Sequence, residues 1–529
     1  MTESGLSILS LAAPLSLAVV ALLSRLPTIG TAIHIRHMLR AASAIGISSA
    51  FGVLGFCLAA GAGASVEVRG AYPGAAFRVD LLGALLLCVI ALLFSVIARF
   101  SSTYLRGESR QGVFLGYVAG AGASVEMMVL ANHLLVFWLT WMTSSLCLFA
   151  LLRFHSERPR AIRASRKEFC IARLSDASLA IAFMLLFEEL GTGALSQIRH
   201  LSINESPPHI AGAGLFLVVA ALLKSAQVPV HGWLIEVMES PTPVSALLHA
   251  GLLNAGPILV LRFAPVLEAS MVGAWLLVLG GGLTALFASV VRQTQVSVKG
   301  ALGYSSAAHM GFTLFCCGLG AYPAAMLHLV GHSFYKAYAF LSAGSTAEKM
   351  QIVSTRSTYG QKELVRPILS VLLACSLYAL SEHFVVQVLG PAHGLAAPLG
   401  LVLLLSLTHL FYVGLSSTRS IRPPSWLLLR AVSVASLFLG LEMAWHFVET
   451  AIVFATPTRP PSLRWVALMV TALWSLPIFV PWIRLENLPW AKRLRTHIRH
   501  GLYVDVMLSR VVPGCSPVSR RSTALVGRP

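Results

Sequence analysis

The sequence predicts an all-α polytopic membrane protein of about 15 transmembrane helices, each using the ~20 apolar residues that a bilayer crossing needs. Three observations carry this reading. Of 529 residues, 56% are hydrophobic and only 11% charged, less than half the roughly 25% of an average soluble protein. The mean hydropathy is +0.78. Apolar stretches of spanning length recur from one end of the chain to the other. So few charges cannot cover a water-facing surface, which excludes soluble, disordered and nucleic-acid-binding classes despite a pI near 10.0.

The stretches lie near 5–24, 41–61, 80–100, 113–131, 133–152, 174–192, 210–230, 242–263, 269–291, 300–320, 322–345, 366–390, 396–415, 428–453 and 463–484. The first carries Glu3, no basic n-region and no small-residue cleavage site, so it is expected to stay as a span rather than leave as a signal peptide. The net charge of +18 sets the orientation, because Lys and Arg near helix ends mark the cytoplasmic side. The loop at 153–173, with Arg153, Arg158, Arg160, Arg163, Arg166, Lys167 and Arg173, is the densest basic cluster. Alternating outward from it brings Arg25, Arg36 and Arg40, Arg106 and Arg110, and Arg356, Lys362 and Arg366 to the same side. Arg419, Arg422 and the basic tail after Arg484 follow, whereas 131–133 and 193–209 are poor in Lys and Arg. The expected topology has the N-terminus outside and the C-terminus in the cytoplasm.

Glycines within spans, such as Gly46, Gly52, Gly55 and Gly280 to Gly282, suit close helix packing. The runs Gly61-Ala62-Gly63 and Gly120-Ala121-Gly122 have neither a preceding strand nor a phosphate-loop lysine, so they are not nucleotide motifs. The eight cysteines are scattered, without a Cys-x-x-Cys or zinc-type spacing. No disulfide framework, metal site or cofactor is expected in this chain. From Asn487 onward, Trp490, Leu494, Ile498 and Leu502 alternate with Lys492, Arg493, Arg495 and Arg499. That pattern predicts an amphipathic helix at the cytoplasmic headgroups of the lipid bilayer.

Ionisable residues inside apolar spans are costly and face a bundle interior or a hydrated cavity, so they carry the functional information. Lys224 sits deep in 210–230, just before Pro229. Proline removes a backbone donor and clashes with the preceding turn, so a broken helix is expected near Pro229, as at ion sites in transporters. Snorkelling of Lys224 to an interface is the alternative. Pro241-Thr242-Pro243 opens the next span, which carries His249. His328, His332 and Lys336 follow at i, i+4 and i+8. They stack on one helix face about 6 Å apart per step, the arrangement a proton relay needs, with Tyr304, His309, Tyr335 and Tyr338 on nearby turns. Arg173 and Asp176 can pair on one face, or Asp176 can serve as partner to Lys224. Glu126 is either a counter-charge for a buried lysine or part of a packed polar junction. Glu382 and His383 form a second candidate pair.

These residues match a family. Leu223-Lys224-Ser225-Ala226-Gln227-Val228-Pro229, Trp233-Leu234 and the run Ser240 to Ala250 resemble the proton-translocating antiporter-like subunits of respiratory complex I and of multisubunit sodium/proton antiporters. Arg173-Leu174-Ser175-Asp176, Glu189 to Thr192 and His328 to Ser345 agree. The resemblance covers roughly residues 110–350, which divides the chain into 1–109 (N-terminal helices), 110–350 (translocation core), 351–485 (C-terminal helices) and 486–529 (basic tail). Within the superfamily, His231 to Glu239, the ending Gly501 to Asp505 and the lack of a long C-terminal lateral helix are most similar to DabB, the membrane subunit family of two-component inorganic-carbon accumulation systems.

The resemblance implies that Lys224 is the central proton-exchanging lysine and that His249, His328, His332 and Lys336 continue a hydrated path. It implies a bacterial inner-membrane transporter subunit, not itself an enzyme, moving protons or Na⁺ to drive a DabA-like partner, a zinc protein similar to β-carbonic anhydrases that hydrates CO2. A respiratory or antiporter subunit is the alternative, and a passive anchor for the partner is another. One departure stands out. Met142 occupies the place after Trp141 where the respiratory subunits have the glutamate that pairs with the buried lysine, and 366–390 has no clear match to their second broken-helix lysine.

Overall fold

The computed structural model describes residues 3–27, 30–61, 65–68, 76–155, 157–198, 207–344, 365–389, 397–416, 459–475 and 489–511, with isolated positions between 433 and 452. Helices α1 (Glu3–Leu23), α2 (Ala32–Ala60), α3 (Leu81–Tyr104), α4 (Gln111–Leu130), α5 (Leu134–Leu152) and α6 (Pro159–Leu190) form the first half. A short α7 (Leu195–Ile198) leads to α8 (Pro208–Lys224), α9 (Gly232–Glu236), α10 (Thr242–Ala250), α11 (Ala255–Arg262) and α12 (Ala264–Glu268). Then come α13 (Met271–Leu276), α14 (Gly282–Gln293), α15 (Val298–Gly318), α16 (Tyr322–Leu341), α17 (Val365–Leu389), α18 (Ala397–Ser416), α19 (Pro461–Leu473), α20 (Pro489–Arg499) and α21 (Val504–Val511).

The chain is a multi-pass membrane protein. Among the described residues, eight helical stretches are long and apolar enough to cross a bilayer: α1 to α6, Thr242–Arg262 and Met271–Gln293. Shorter apolar helices lie at Pro208–Lys224, Pro367–Ser381, Pro398–Tyr412 and Pro461–Leu473. Helices α15 and α16 have the length, 21 and 20 residues, but their histidines and lysines make them too polar to stand among the eight. The expected span at 428–453 lies almost wholly outside the described residues, as does 463–484 beyond Ser475.

Four local features depart from the sequence expectation. The first is an antiparallel hairpin, β1 (Ser65–Val68) with β2 (Phe77–Asp80), in an otherwise helical chain. Asp80 leaves it to cap α3, accepting from Gly83 N at 2.7 Å, and its other oxygen binds Arg262 Nη1 at 2.6 Å. Second, the segment 153–173 is not a loop but is helical from Pro159. The 32 residues of α6 reach about 48 Å at 1.5 Å per residue, beyond a hydrocarbon core of about 30 Å, so its basic first turns project out of the bilayer.

Third, 242–263 is broken at Gly251, where φ is −126° and ψ is −70°. Pro257 explains this. In a continuous helix its ring would clash with the carbonyl of Leu253, whereas in the first turn of α11 its missing N–H costs nothing. Fourth, Leu277–Gly281 forms a π turn between α13 and α14.

Close backbone packing holds the middle of the bundle together. A Cβ on Gly311 of α15 would lie 2.5 Å from the Gly281 carbonyl oxygen and 2.9 Å from Ala285 N, so only glycine lets these backbones meet. Gly55, by contrast, has open space around it and takes no part in such packing. Gly311→Val should therefore overpack the α14–α15 contact at roughly 1–3 kcal/mol and lower the melting temperature in detergent by several degrees. Gly331→Ala, which meets nothing within 4 Å, should leave it unchanged or slightly raised.

Candidate ion-translocation site

Helix α8 stops at Lys224, five residues before Pro229. Ser225 N still reaches Ala221 O at 3.0 Å, and beyond it the backbone leaves the helix, with Ala226 at a φ of 50° and a cis Val228–Pro229 bond. The freed donors are satisfied inside the protein: Val228 N donates to Thr284 Oγ1 at 3.1 Å and Gln227 N to Leu222 O at 3.2 Å. Irregular backbone at membrane depth requires such partners.

Lys224 Nζ donates to Trp141 O and Ser144 Oγ, each at 3.4 Å, and to Ser145 Oγ. It also lies 4.8 Å from the centre of the Trp141 ring. Helix α5 thus offers the ammonium hydroxyls, a carbonyl and an aromatic face. The carboxylates come from α6, which packs along α8: Asp176 and Glu168 are the acidic groups acting on Lys224. Asp176 Oδ2 is 2.8 Å from Arg173 Nη2. Glu168 is 4% exposed, and its Oε2 has no hydrogen-bond partner among the described residues. It shares with Lys224 a cavity of about 20 Å³ lined also by Ser144, Ser145 and Trp233, room for one water.

Glu126 is placed elsewhere. Both its oxygens are buried without a hydrogen-bond partner among the described residues, and it is not among the charges acting on Lys224. The reason is positional: α6, not α4, packs against α8.

The remaining predicted groups form a second cluster. His249 is fully buried, with both ring nitrogens free of hydrogen-bond partners among the described residues. It stacks on Phe340 with centroids 4.4 Å apart and lies within the electrostatic reach of Lys336. Lys336 Nζ donates to Leu302 O at 3.0 Å. His332 follows, its ring nitrogens also unpartnered among the described residues, 6.2 Å from the His328 ring and 5.1 Å from His309. His309 Nδ1 and His328 Nε2 are 3.1 Å apart, so one imidazole donates to the other. A cavity of about 720 Å³ opens beside these rings, with Arg292, Ser305, Tyr335 and Trp474 in its walls. Among the described residues, no hydrogen bond joins the Lys224 cluster to His249. No group of three His, Cys, Asp or Glu residues there is placed to hold a metal. His383 is exposed, and the side chain of Glu382 lies outside the described residues.

Several participants escaped sequence reasoning. Glu168 and Arg292 sit at span ends, where charge is ordinary. Near the basic end of α6, Lys167 Nζ binds Glu236 Oε1 at 2.7 Å and Asp505 Oδ2 at 3.0 Å, fixing the C-terminal tail to the segment after the helix break. Asp505 also fills the space where a side chain on Gly232 would go. The amphipathic tail helix ends at Arg499. Leu502 belongs to the turn that follows, at a φ of 48°, and not to the helix face predicted for it. Near the other end of the bundle, Arg459 Nη2 binds Glu268 Oε1 at 2.8 Å, and Tyr322 OH donates to the same oxygen.

The family description "NADH:quinone oxidoreductase/Mrp antiporter, TM" matches residues 131–383, which hold both clusters. The "probable inorganic carbon transporter subunit DabB2" of Halothiobacillus neapolitanus is 34% identical over 466 residues, 82% of this chain and 79% of that one. The "probable inorganic carbon transporter subunit DabB" of Hydrogenovibrio crunogenus is 39% identical over 312 residues, 57% of this chain and 60% of that one. Among solved structures, the Mrp complex of Dietzia sp. DQ12-45-1b superposes with a TM-score of 0.58 at 23% identity, covering 97% of this chain and 58% of its own. That likeness shows a shared fold.

The Lys167 contacts yield a direct expectation. Asp505 is the tail's ion-pair partner for the buried Lys167, so Asp505→Ala should release the tail. Trypsin should then cut between Lys492 and Arg499 several-fold faster than in the wild type. Equal rates would mean that the ion cluster does not hold the tail.

Proposed function

Because this chain belongs to the DabB family of membrane subunits, within the superfamily of antiporter-like subunits, we propose that it is the ion-conducting subunit of an inorganic-carbon transporter. The observation that supports this reading is the series of buried and half-buried ionisable groups at membrane depth. Lys224 stands at a helix break, and His249, Lys336, His332, His309 and His328 follow one another on α10, α15 and α16. Groups that gain and lose a proton near neutrality, spaced for bridging water, can hand a proton along such a row.

Protons moving from outside to inside would carry about 2.3 kcal/mol per charge per 100 mV of membrane potential. In this reading the N-terminus faces out, the tail faces the cytoplasm, and the chain conducts protons, with Na⁺ the alternative ion. The chemistry on carbon falls to a DabA-like zinc partner related to carbonic anhydrases. The alternative, a proton-translocating subunit of a respiratory complex or cation/proton antiporter, is favoured by the shared core but not by the hydroxyls that α5 presents to Lys224.

Lys224→Ala and Lys336→Ala should each abolish uncoupler-sensitive bicarbonate accumulation in cells, by tenfold or more, while leaving the complex with its partner intact on purification. Normal accumulation in both variants would leave the chain a passive anchor. Met142→Glu, which restores the respiratory pattern, should not raise accumulation, because Lys224 already has acidic neighbours on α6.

A further inference from the structure

We propose that Glu168 is the proton-exchange site that connects Lys224 to the basic, cytoplasmic side of the membrane through the single-water cavity between them. The inference rests on the reading of this chain as an ion conductor and adds to it a residue on the cytoplasmic side of Lys224.

Three observations carry it. First, Glu168 and Lys224 line the same cavity, whose other polar walls are the Ser144 and Ser145 hydroxyls. A water there has a carboxyl group on one side and an amine on the other, with the hydroxyls to orient it. Second, Glu168 is buried and one of its oxygens is unpartnered among the described residues. A structural carboxylate is tied down by donors, as Asp80 is by Gly83 N and Arg262, and Glu168 is not. Third, Glu168 lies on the correct side. Helix α6 enters from the basic end of the bundle, and eight residues at 1.5 Å each place Glu168 about 12 Å nearer that end than Asp176.

The neighbouring charges agree. Arg173 and Asp176, the other charged groups acting on both Glu168 and Lys224, are paired with each other. Lys167, next to Glu168 in sequence, takes Glu236 and Asp505 as its partners. Glu168 is thereby left free to exchange a proton rather than locked in an ion pair.

The O–H bond of the neutral Glu168 carboxyl breaks as its proton joins the cavity water, and one of that water's protons passes to the lone pair of neutral Lys224. A carboxylate and an ammonium result, with the water unchanged. In the inward flow of the proposed function the steps run in reverse: the ammonium proton passes through the water to the carboxylate, Glu168 then loses a proton to the cytoplasmic side, and Lys224 takes a new one from the outer side.

The test uses the full-length chain with its co-purified partner in liposomes containing a pH-sensitive dye, with flux driven by a potassium–valinomycin potential. Glu168→Gln should lower the initial proton flux at least tenfold, while Glu168→Asp should keep a substantial part of it with a displaced pH profile. If Lys224→Ala is inactive but Glu168→Gln conducts at the wild-type rate, the assignment of Glu168 is overturned and the conduction reading survives. If Lys224→Ala also conducts normally, both fall. Should Glu168→Gln fail to assemble, a carbodiimide that modifies buried protonated carboxyls decides on the wild-type protein. Flux loss should track the fraction of Glu168 modified, as read by peptide mass spectrometry, and loss tracking another carboxyl overturns the proposal.

Discussion

An ammonium group inside an apolar bundle must be offset by carboxylates and hydrogen-bond acceptors, and much of the middle of this protein is arranged around that requirement at Lys224. An isolated buried cation is too costly to persist, so the helices packed on α8 are constrained in what they present. Helix α5 brings Trp141 O, Ser144 and Ser145. Helix α6 brings Asp176 and Glu168, with Arg173 pairing Asp176. The helix break that exposes Lys224 depends in turn on Thr284 of α14, which takes the freed Val228 N–H. Helix α14 is held against α15 by the glycine contact at Gly281 and Gly311.

Both clusters of ionisable groups lie at discontinuities. The break after Lys224 and the one at Gly251 after His249 each end a helix inside the bundle. At the second, Asn254 Nδ2 crosses to Ser333 Oγ of α16 at 2.7 Å, which ties the break to the helix carrying His332 and Lys336. Discontinuous helices give up backbone hydrogen bonds, and the polar side chains recruited to replace them are the same groups that make the interior hospitable to water. Polar residues at the breaks therefore serve stability and, under the proposed function, conduction as well.

Much of this was legible in the sequence, for reasons that differ by residue. The helical class and the histidine row followed from composition and from spacing along a single helix, which sequence reports directly. The break near Pro229 followed from proline chemistry, but its start at Lys224 depended on what α14 could offer. Pro257 held the signal for the second break and was passed over because it lies within an unbroken apolar stretch. The partners of Lys224 were the hardest to read, because pairing between helices depends on which faces meet. Glu126 looked as eligible as Asp176 until α6 was seen to pack on α8. Met142 left the carboxylate missing from α5, and α6 provides carboxylates instead. Asp505 could not have been matched with Lys167 at all, being 338 residues away.

Conduction along this row requires that water reach the ionisable groups buried at membrane depth. Radiolytic footprinting with millisecond X-ray pulses, in which hydroxyl radicals form from the water beside each side chain, measures this directly in the intact complex. Oxidation of the buried Trp141 and Trp233 beside Lys224, and of His249 and His332, at rates well above those of similarly buried Phe114 and Phe263 is the result this account requires. Rates at those four positions no higher than for the two phenylalanines would mean a dry interior, and the conduction path would have to be abandoned.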